Sequence, residues 1–170
     1  GETFTASFSA FLFLFITAAG RRVELRQVGT SNVYEAGDSS YLQLIDTSPS
    51  LVVRSTDGTQ LSFVEINNEY SCTQIKDRNG NYISATYNTT NGHLLTITDT
   101  LNRVINFDYD GNNNLQAIRQ TWAGPVSHNW ATFEYTEVFV APAFGGSLLV
   151  NGPNNTNTTV LSRVNLHDST

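Results

Sequence analysis

Two short stretches place oxygen-bearing side chains at alternate positions, the spacing from which a calcium loop is built. They are "DRNGN" at residues 77–81 and "DYDGN" at residues 108–112. A helical calcium loop also needs Gly at its sixth position and a chelating Glu at its twelfth. Here those positions hold Tyr82 and Asn88 in the first stretch, and Asn113 and Arg119 in the second. Turn formation, for which Asp, Asn and Gly are suited, explains both stretches. Asp108 and Asp110 form a carboxylate pair of the kind used in glycoside hydrolysis, but a turn accounts for them more simply. His93, His128 and His167 are far apart and share no ligand spacing. Ser39-Ser40 and Ser127-His128 lack a nucleophile elbow. The single cysteine, Cys72, excludes an intramolecular disulfide and a multi-thiolate metal site, and reads as a small buried hydrophobe. Trp122, Trp130, Tyr70 and Tyr82 are candidates for sugar stacking, with core or interface packing the stronger reading. No catalytic constellation, metal or cofactor is expected, and the chain is not expected to be an enzyme.

Composition points the same way. The net charge is −6 over 170 residues, and Lys76 is the only lysine, so a phosphate-tracking surface is not expected and nucleic acid is excluded as a partner. A content of 39% hydrophobic residues supplies a core, and the abundance of Asn, Thr, Ser and Gly is the palette of a secreted β-protein. Three Asn-x-Thr sequons, at Asn88, Asn154 and Asn157, are candidate glycosylation sites that would place their loops at an extracellular or cell surface. The apolar run "FSAFLFLFIT" (residues 8–17) is about half the ~20 residues a membrane helix needs, so no membrane span is expected. Its size suits a secretory signal, but no positive segment precedes it. A strand covered on both faces fits it best, with Phe4, Phe8, Phe11, Phe13 and Phe15 as its apolar side chains.

The chain then repeats itself. Residues 75–96 and the segment from residue 97 onward align with Asp77 on Asp99, Ile83 on Ile105, Ala85 on Phe107 and Tyr87 on Tyr109. Polar residues alternate between these positions, which is the pattern of a half-buried strand. One period is a hairpin, strand–turn–strand–turn. A worn copy precedes it, with Gly58 on Gly80 and Leu61 on Ile83, and Phe133 and Tyr135 recur at the same spacing downstream. Ile83, Tyr87, Ile105, Phe107, Tyr109, Phe133 and Tyr135 are the expected repeat core. Neighbouring units of such arrays cover one another's apolar faces.

These residues carry a likeness. "ITDTLNRVINFDYDGNNNL", with its Tyr109-Asp110 pair, closely resembles the Rhs/YD-repeat family, and "VYEAGDSSYLQL", "VRSTDGTQLSF" and "CTQIKDRNGNYI" are similar to segments of large bacterial Rhs-type surface proteins. The resemblance covers roughly residues 21–135. It implies tandem hairpins coiling into a shell or spiral, which encloses a toxin in bacterial members and supports adhesion in teneurins. Only three or four units are present, too few for a closed shell, and no Asp-Pro pair of the self-cleaving motif occurs. No activity carries over.

The expected architecture is all-β, an extended and twisted antiparallel sheet or spiral of YD-type hairpins. Residues 1–20 are an apolar N-terminal strand, 21–52 a β lead-in and 53–140 the hairpin repeats. Residues 141–170 are C-terminal strands with a polar Asn/Thr loop and an incomplete repeat, "VLSRVNLHDST". The N-terminal strand, written after that incomplete unit, looks like its missing half. The expected function is therefore a structural module of an extracellular fibre or shell, joined head to tail with copies of itself by β-strand addition. A carbohydrate- or protein-binding adhesion module, with glycans as partners, is one alternative. A fragment of a toxin-enclosing shell is another.

Overall fold

Six turns begin at Ser55, Ile66, Asp77, Asn88, Asp99 and Asp110, each eleven residues after the last. Three of them, at residues 55–59, 77–81 and 110–114, are the same five-residue turn. The first residue's N–H donates to the fifth residue's carbonyl, and the fourth residue's N–H donates back to the first carbonyl. That fourth residue is left-handed: Gly58 at φ 88°, Gly80 at 91° and Asn113 at 64°. Three-residue hairpin loops of this kind follow the right-handed twist of an antiparallel pair. In "DGNNN" the left-handed position falls on Asn113 and not on Gly111, because Asn tolerates that conformation. The turn after Ile66 is shorter. Asn67 and Asn68, both at positive φ, make the two-residue connection in which both central residues are left-handed.

The computed structural model describes residues 12–17, 19–121, 127–143 and 151–167. Among them the chain is all-β, and it divides into two compact units, Gly1–Asn102 and Arg103–Thr170. The first unit holds β1 (Leu12–Ile16), β2 (Arg22–Gln27), β3 (Val33–Ala36), β4 (Gln43–Asp46) and β5 (Ser50–Arg54). It continues with β6 (Gln60–Ile66), β7 (Glu69–Lys76), β8 (Tyr82–Tyr87) and β9 (Leu94–Asp99). The second holds β10 (Val104–Tyr109), β11 (Leu115–Thr121), β12 (Ser127–Val140) and β13 (Thr156–Leu166). Within each unit every strand pairs antiparallel with its predecessor in the chain, as tandem hairpins require.

The first unit buries its apolar face by curling. Val23, Leu25, Tyr34, Leu44, Leu51 and Val53 are buried together, and cross-strand register places Phe15 opposite Val23, Phe13 opposite Leu25 and Phe63 opposite Leu51. Five strand spacings would hold β1 and β6 roughly 24 Å apart in a flat sheet. Instead the Phe15 and Phe63 rings meet edge to face at 6.1 Å, and Phe13 meets Tyr34 at 4.7 Å. The curled sheet thus packs on itself.

This corrects one expectation. Phe13 and Phe15, expected as apolar side chains for a neighbouring copy to cover, pack on the core of their own chain, and only the backbone edge of β1 stays open to a neighbour. Phe4, Phe8 and Phe11 lie outside the described residues. A second correction concerns Ile83. It lies on the same face as Leu61 and Ile75 by register, but it is 48% exposed, and Ile75 is 46% exposed. The period reports the face a side chain takes; it does not report whether anything covers that face.

In the second unit Phe107, Ile118 and Ala131 are successive cross-strand partners, with Phe133 two residues along from Ala131. Ile105, Phe107, Tyr109, Phe133 and Tyr135 are half-buried, and Ala131 is buried. The tyrosines use their hydroxyls: Tyr87 donates to the Cys72 carbonyl at 2.8 Å and Tyr135 to the Leu115 carbonyl at 2.9 Å. Each ties its strand to the preceding one at the residue where pairing with the following strand shifts register, between Thr86 and Tyr87 and between Glu134 and Tyr135.

Burial ranks the substitutions. Leu25→Ala is expected to cost about 3 kcal/mol in urea unfolding, whereas Ile83→Ala is expected to cost less than about 1 kcal/mol. Gly58→Ala is expected to destabilise by about 1 kcal/mol or more, since φ is positive. Its Cβ would also meet the Arg78 Cβ at 2.9 Å. Equal losses at Leu25 and Ile83 would show that the face at Ile83 is covered in solution.

Candidate functional site

The residues first suspected of chemistry are largely engaged in turns. In residues 77–81 the Asp77 Oδ1 accepts the N–H groups of Asn79 and Asn81, and its Oδ2 accepts the Asn81 amide. Asp110 repeats this on Asn112 and Asn114. Carboxylates so occupied close turns and do not form a calcium loop. Asp108 is ion-paired with Arg119. Among the described residues no group of three His, Cys, Asp or Glu side chains is placed to hold a metal.

The other candidates are dispersed. His128 stacks edge to face on Trp130, His167 lies within 3.3 Å of the Thr132 hydroxyl, and His93 follows the turn that begins at Asn88. Cys72 is a free, half-buried thiol whose burial pushes its pKa up, which disfavours the reactive thiolate. Tyr70 and Tyr82 sit on β7 and β8, Trp130 on β12, and Trp122 lies outside the described residues. The sequons differ from one another. Asn88 is half-buried, with its Oδ1 accepting the Thr90 and Asn91 N–H groups. Asn154 is exposed before β13, and Asn157, on β13, donates its amide to Glu137.

Three surface features remain. The first is an apolar cavity of about 320 Å³ beside β1, lined by Phe13, Phe15, Leu44, Val53 and Phe63, with Glu69 and Tyr70 also contributing. Most of its wall is the core cluster itself, so it is the gap left where the curled sheet meets itself. The second is the pair of sheet edges. Among the described residues β1 and β13 are the first and last strands in order, and each has one paired side. β13 is eleven residues long and carries Leu161, Val164 and Leu166 at 51%, 44% and 77% exposure. The His167 N–H donates to the Trp130 carbonyl, so alternation along an antiparallel pair turns the backbone groups of Leu166 and Val164 to the open side. The third feature is a polar groove of about 310 Å³ between the turn at residues 110–114 and the β12–β13 hairpin.

Sequence reasoning anticipated the turns but missed the groove. Glu137 and Thr159 reach it only because β12 and β13 run past that turn, and no spacing within the repeat encodes this. Compared with known proteins, the chain matches no family model and no curated sequence.

The turn carboxylates give the fold an acid limit. The Ser55 hydroxyl and then Thr59 hold Asp57 at about 2, below the ordinary 3.8. Asp77, through the Asn81 amide, and Asp110, through the Asn114 N–H and amide, are likewise lowered. A depressed folded pKa means that the unfolded chain binds more protons between the two values. Their contribution is therefore present above pH 3.8 and lost as pH falls toward about 2. Thermal melting points are expected to drop through that window, and Asp57→Asn combined with Asp77→Asn is expected to flatten the drop. An unchanged slope in the double variant would refute this account.

Proposed function

We propose that the chain is a structural hairpin-repeat module of the Rhs/YD kind, extended head to tail when a further β-strand adds to its open edge. What carries this reading is β13, a long strand with one paired side and an apolar face in view. A long, exposed, apolar edge is a template for strand pairing, and monomeric proteins normally blunt such edges with charge, proline or cover. Val164 and Leu166 alternate with Asn165, the register shift at Ser162 returns Leu161 to their face, and Arg163 lies on the opposite face beside Glu134. Burying apolar side chains there contributes about 1.5–3 kcal/mol for each one fully covered. The ordering of whatever strand arrives offsets part of that gain.

The natural complement is the edge of β1 in another copy, where Leu12, Leu14 and Ile16 are exposed. Because the two edges differ, their contact is heterologous, and repeated contacts run on into a filament. The module's role in this reading is to build an extracellular or cell-surface fibre or shell, with Asn154 and Asn157 as outward glycan positions. The fragment-of-a-shell alternative uses the same β13 edge, continued by later hairpins of one polypeptide.

The edge can be blocked without touching the β12–β13 ladder. Val164→Pro removes an N–H that points to the open side. Sedimentation of the full chain is expected to show concentration-dependent polymers, seen as filaments by negative stain. Val164→Pro is expected to be monomeric with an unchanged circular dichroism spectrum. A wild-type chain that stays a monodisperse monomer at high concentration would remove head-to-tail joining from consideration.

A further inference from the structure

We propose that the polar groove of the second unit is a binding site for a neutral saccharide, with Asn112, Asn114, Gln116 and Glu137 reading its hydroxyl groups and Phe133 and Tyr135 meeting its apolar face. The inference stands independently of the structural reading above, because it uses neither open edge.

The groove's size is the first argument. At about 310 Å³ it lies at the lower end of the range for small-ligand clefts, which fits one or two sugar rings. Its chemistry is the second. Sugar hydroxyls donate and accept in pairs, and planar amides and carboxylates are the side chains that match such pairs. Here three amides and Glu137 converge on one concavity, and Thr136 and Thr159 add hydroxyls. The Asn114 amide already donates to Asp110 and Glu137 Oε2 already accepts from Asn157, so these two offer Asn114 Oδ1 and Glu137 Oε1. The side-chain amides of Asn112 and Gln116 make no hydrogen bond among the described residues and are exposed. They are therefore available to a ligand without breaking internal structure.

Charge narrows the class. Asp110 and Glu137 both line the groove, and carboxylates only accept hydrogen bonds. An anionic ligand, such as a phosphate or a uronic acid, meets like charge there. Asp110 is committed to its turn, since Asn112 and Asn114 donate to both of its oxygens. A neutral polyol satisfies the groups that remain. The aromatic pair supplies apolar lining: Tyr135 is held in place by its bond to the Leu115 carbonyl, which leaves the ring and not the hydroxyl as its contribution.

The test uses the full chain, titrated with cellobiose, maltose and N,N′-diacetylchitobiose and, for comparison, an anionic chondroitin disaccharide. The readout is the side-chain amide NMR signals of Asn112, Asn114 and Gln116. At least one neutral sugar is expected to move these signals saturably, and the anionic one is expected to bind more weakly. Gln116→Ala and Glu137→Ala alter exposed residues and are expected to keep the wild-type circular dichroism. Each is expected to weaken binding by about tenfold, the loss of one hydrogen bond that involves a well-placed polar partner. The proposal is overturned if no neutral sugar moves the signals or if the anionic sugar binds more tightly. It is equally overturned if neither substitution weakens binding, or if a chelator abolishes binding and so marks a cation site.

Discussion

One hydrogen bond recurs throughout this chain, from a backbone N–H to the side-chain oxygen of an Asp or Asn two residues earlier. It joins Ser40 to Asp38, Ser48 to Asp46, Thr59 to Asp57 and Asn79 to Asp77. It recurs in Thr90 to Asn88, Leu101 to Asp99 and Asn112 to Asp110. The bond fixes where each strand stops, and with side chains alternating at a period of two, that decides which face every later residue takes. A turn displaced by one residue would send Phe107 and Tyr109 to the opposite face together. The apolar face of each unit depends on these small polar contacts at its margins.

Alternation alone would leave a sheet with one bare apolar face, and curvature is what changes that. Bulges between Thr86 and Tyr87 and between Asp108 and Tyr109 fall twenty-two residues apart, the period of the hairpin repeat. Another lies between Ser62 and Phe63. Each adds a residue to one strand and increases the local twist. In the first unit the curl brings β1 over the face of β4, β5 and β6, where the buried cluster forms. Ile75 and Ile83 lie on the same face but beyond the reach of β1 and remain exposed. Burial and exposure therefore come from one face and one period, divided by how far the curl extends.

That division marks what could be read in the sequence. Asp77 on Asp99 and Tyr87 on Tyr109 were legible as a repeat because turn residues and alternation are local signals. The fold class followed from them. The period of Ile83 matches that of Ile105 and so points to the core, but cover is a long-range property that a period does not carry. Phe13 and Phe15 look in sequence as if they seek a neighbour for the same reason. Their partners, Leu25 and Val23, lie one hairpin away, but Tyr34 and Phe63 are reached only through curvature. The left-handed Asn113 illustrates a smaller limit: the turn contains a glycine, Gly111, but its hydrogen bonds put the left-handed conformation at the fourth position.

The groove shows how a repeated scaffold acquires a local site. The turns at residues 77–81 and 110–114 have the same bonds and nearly the same side chains, so the turn itself is not what distinguishes them. The difference lies in the strand beside the second turn. β12 is fourteen residues long, and its pairing with β11 extends only as far as Thr132 opposite Ala117. From Phe133 to Val140 it continues past the turn, supported on its other side by β13. The overhang raises a wall of Tyr135, Thr136 and Glu137 against the amides of the turn, and the concavity lies between them. Shortening that hairpin would leave the turn intact and remove the groove, so in this fold the capacity to hold a ligand resides in strand length and not in the repeated motif.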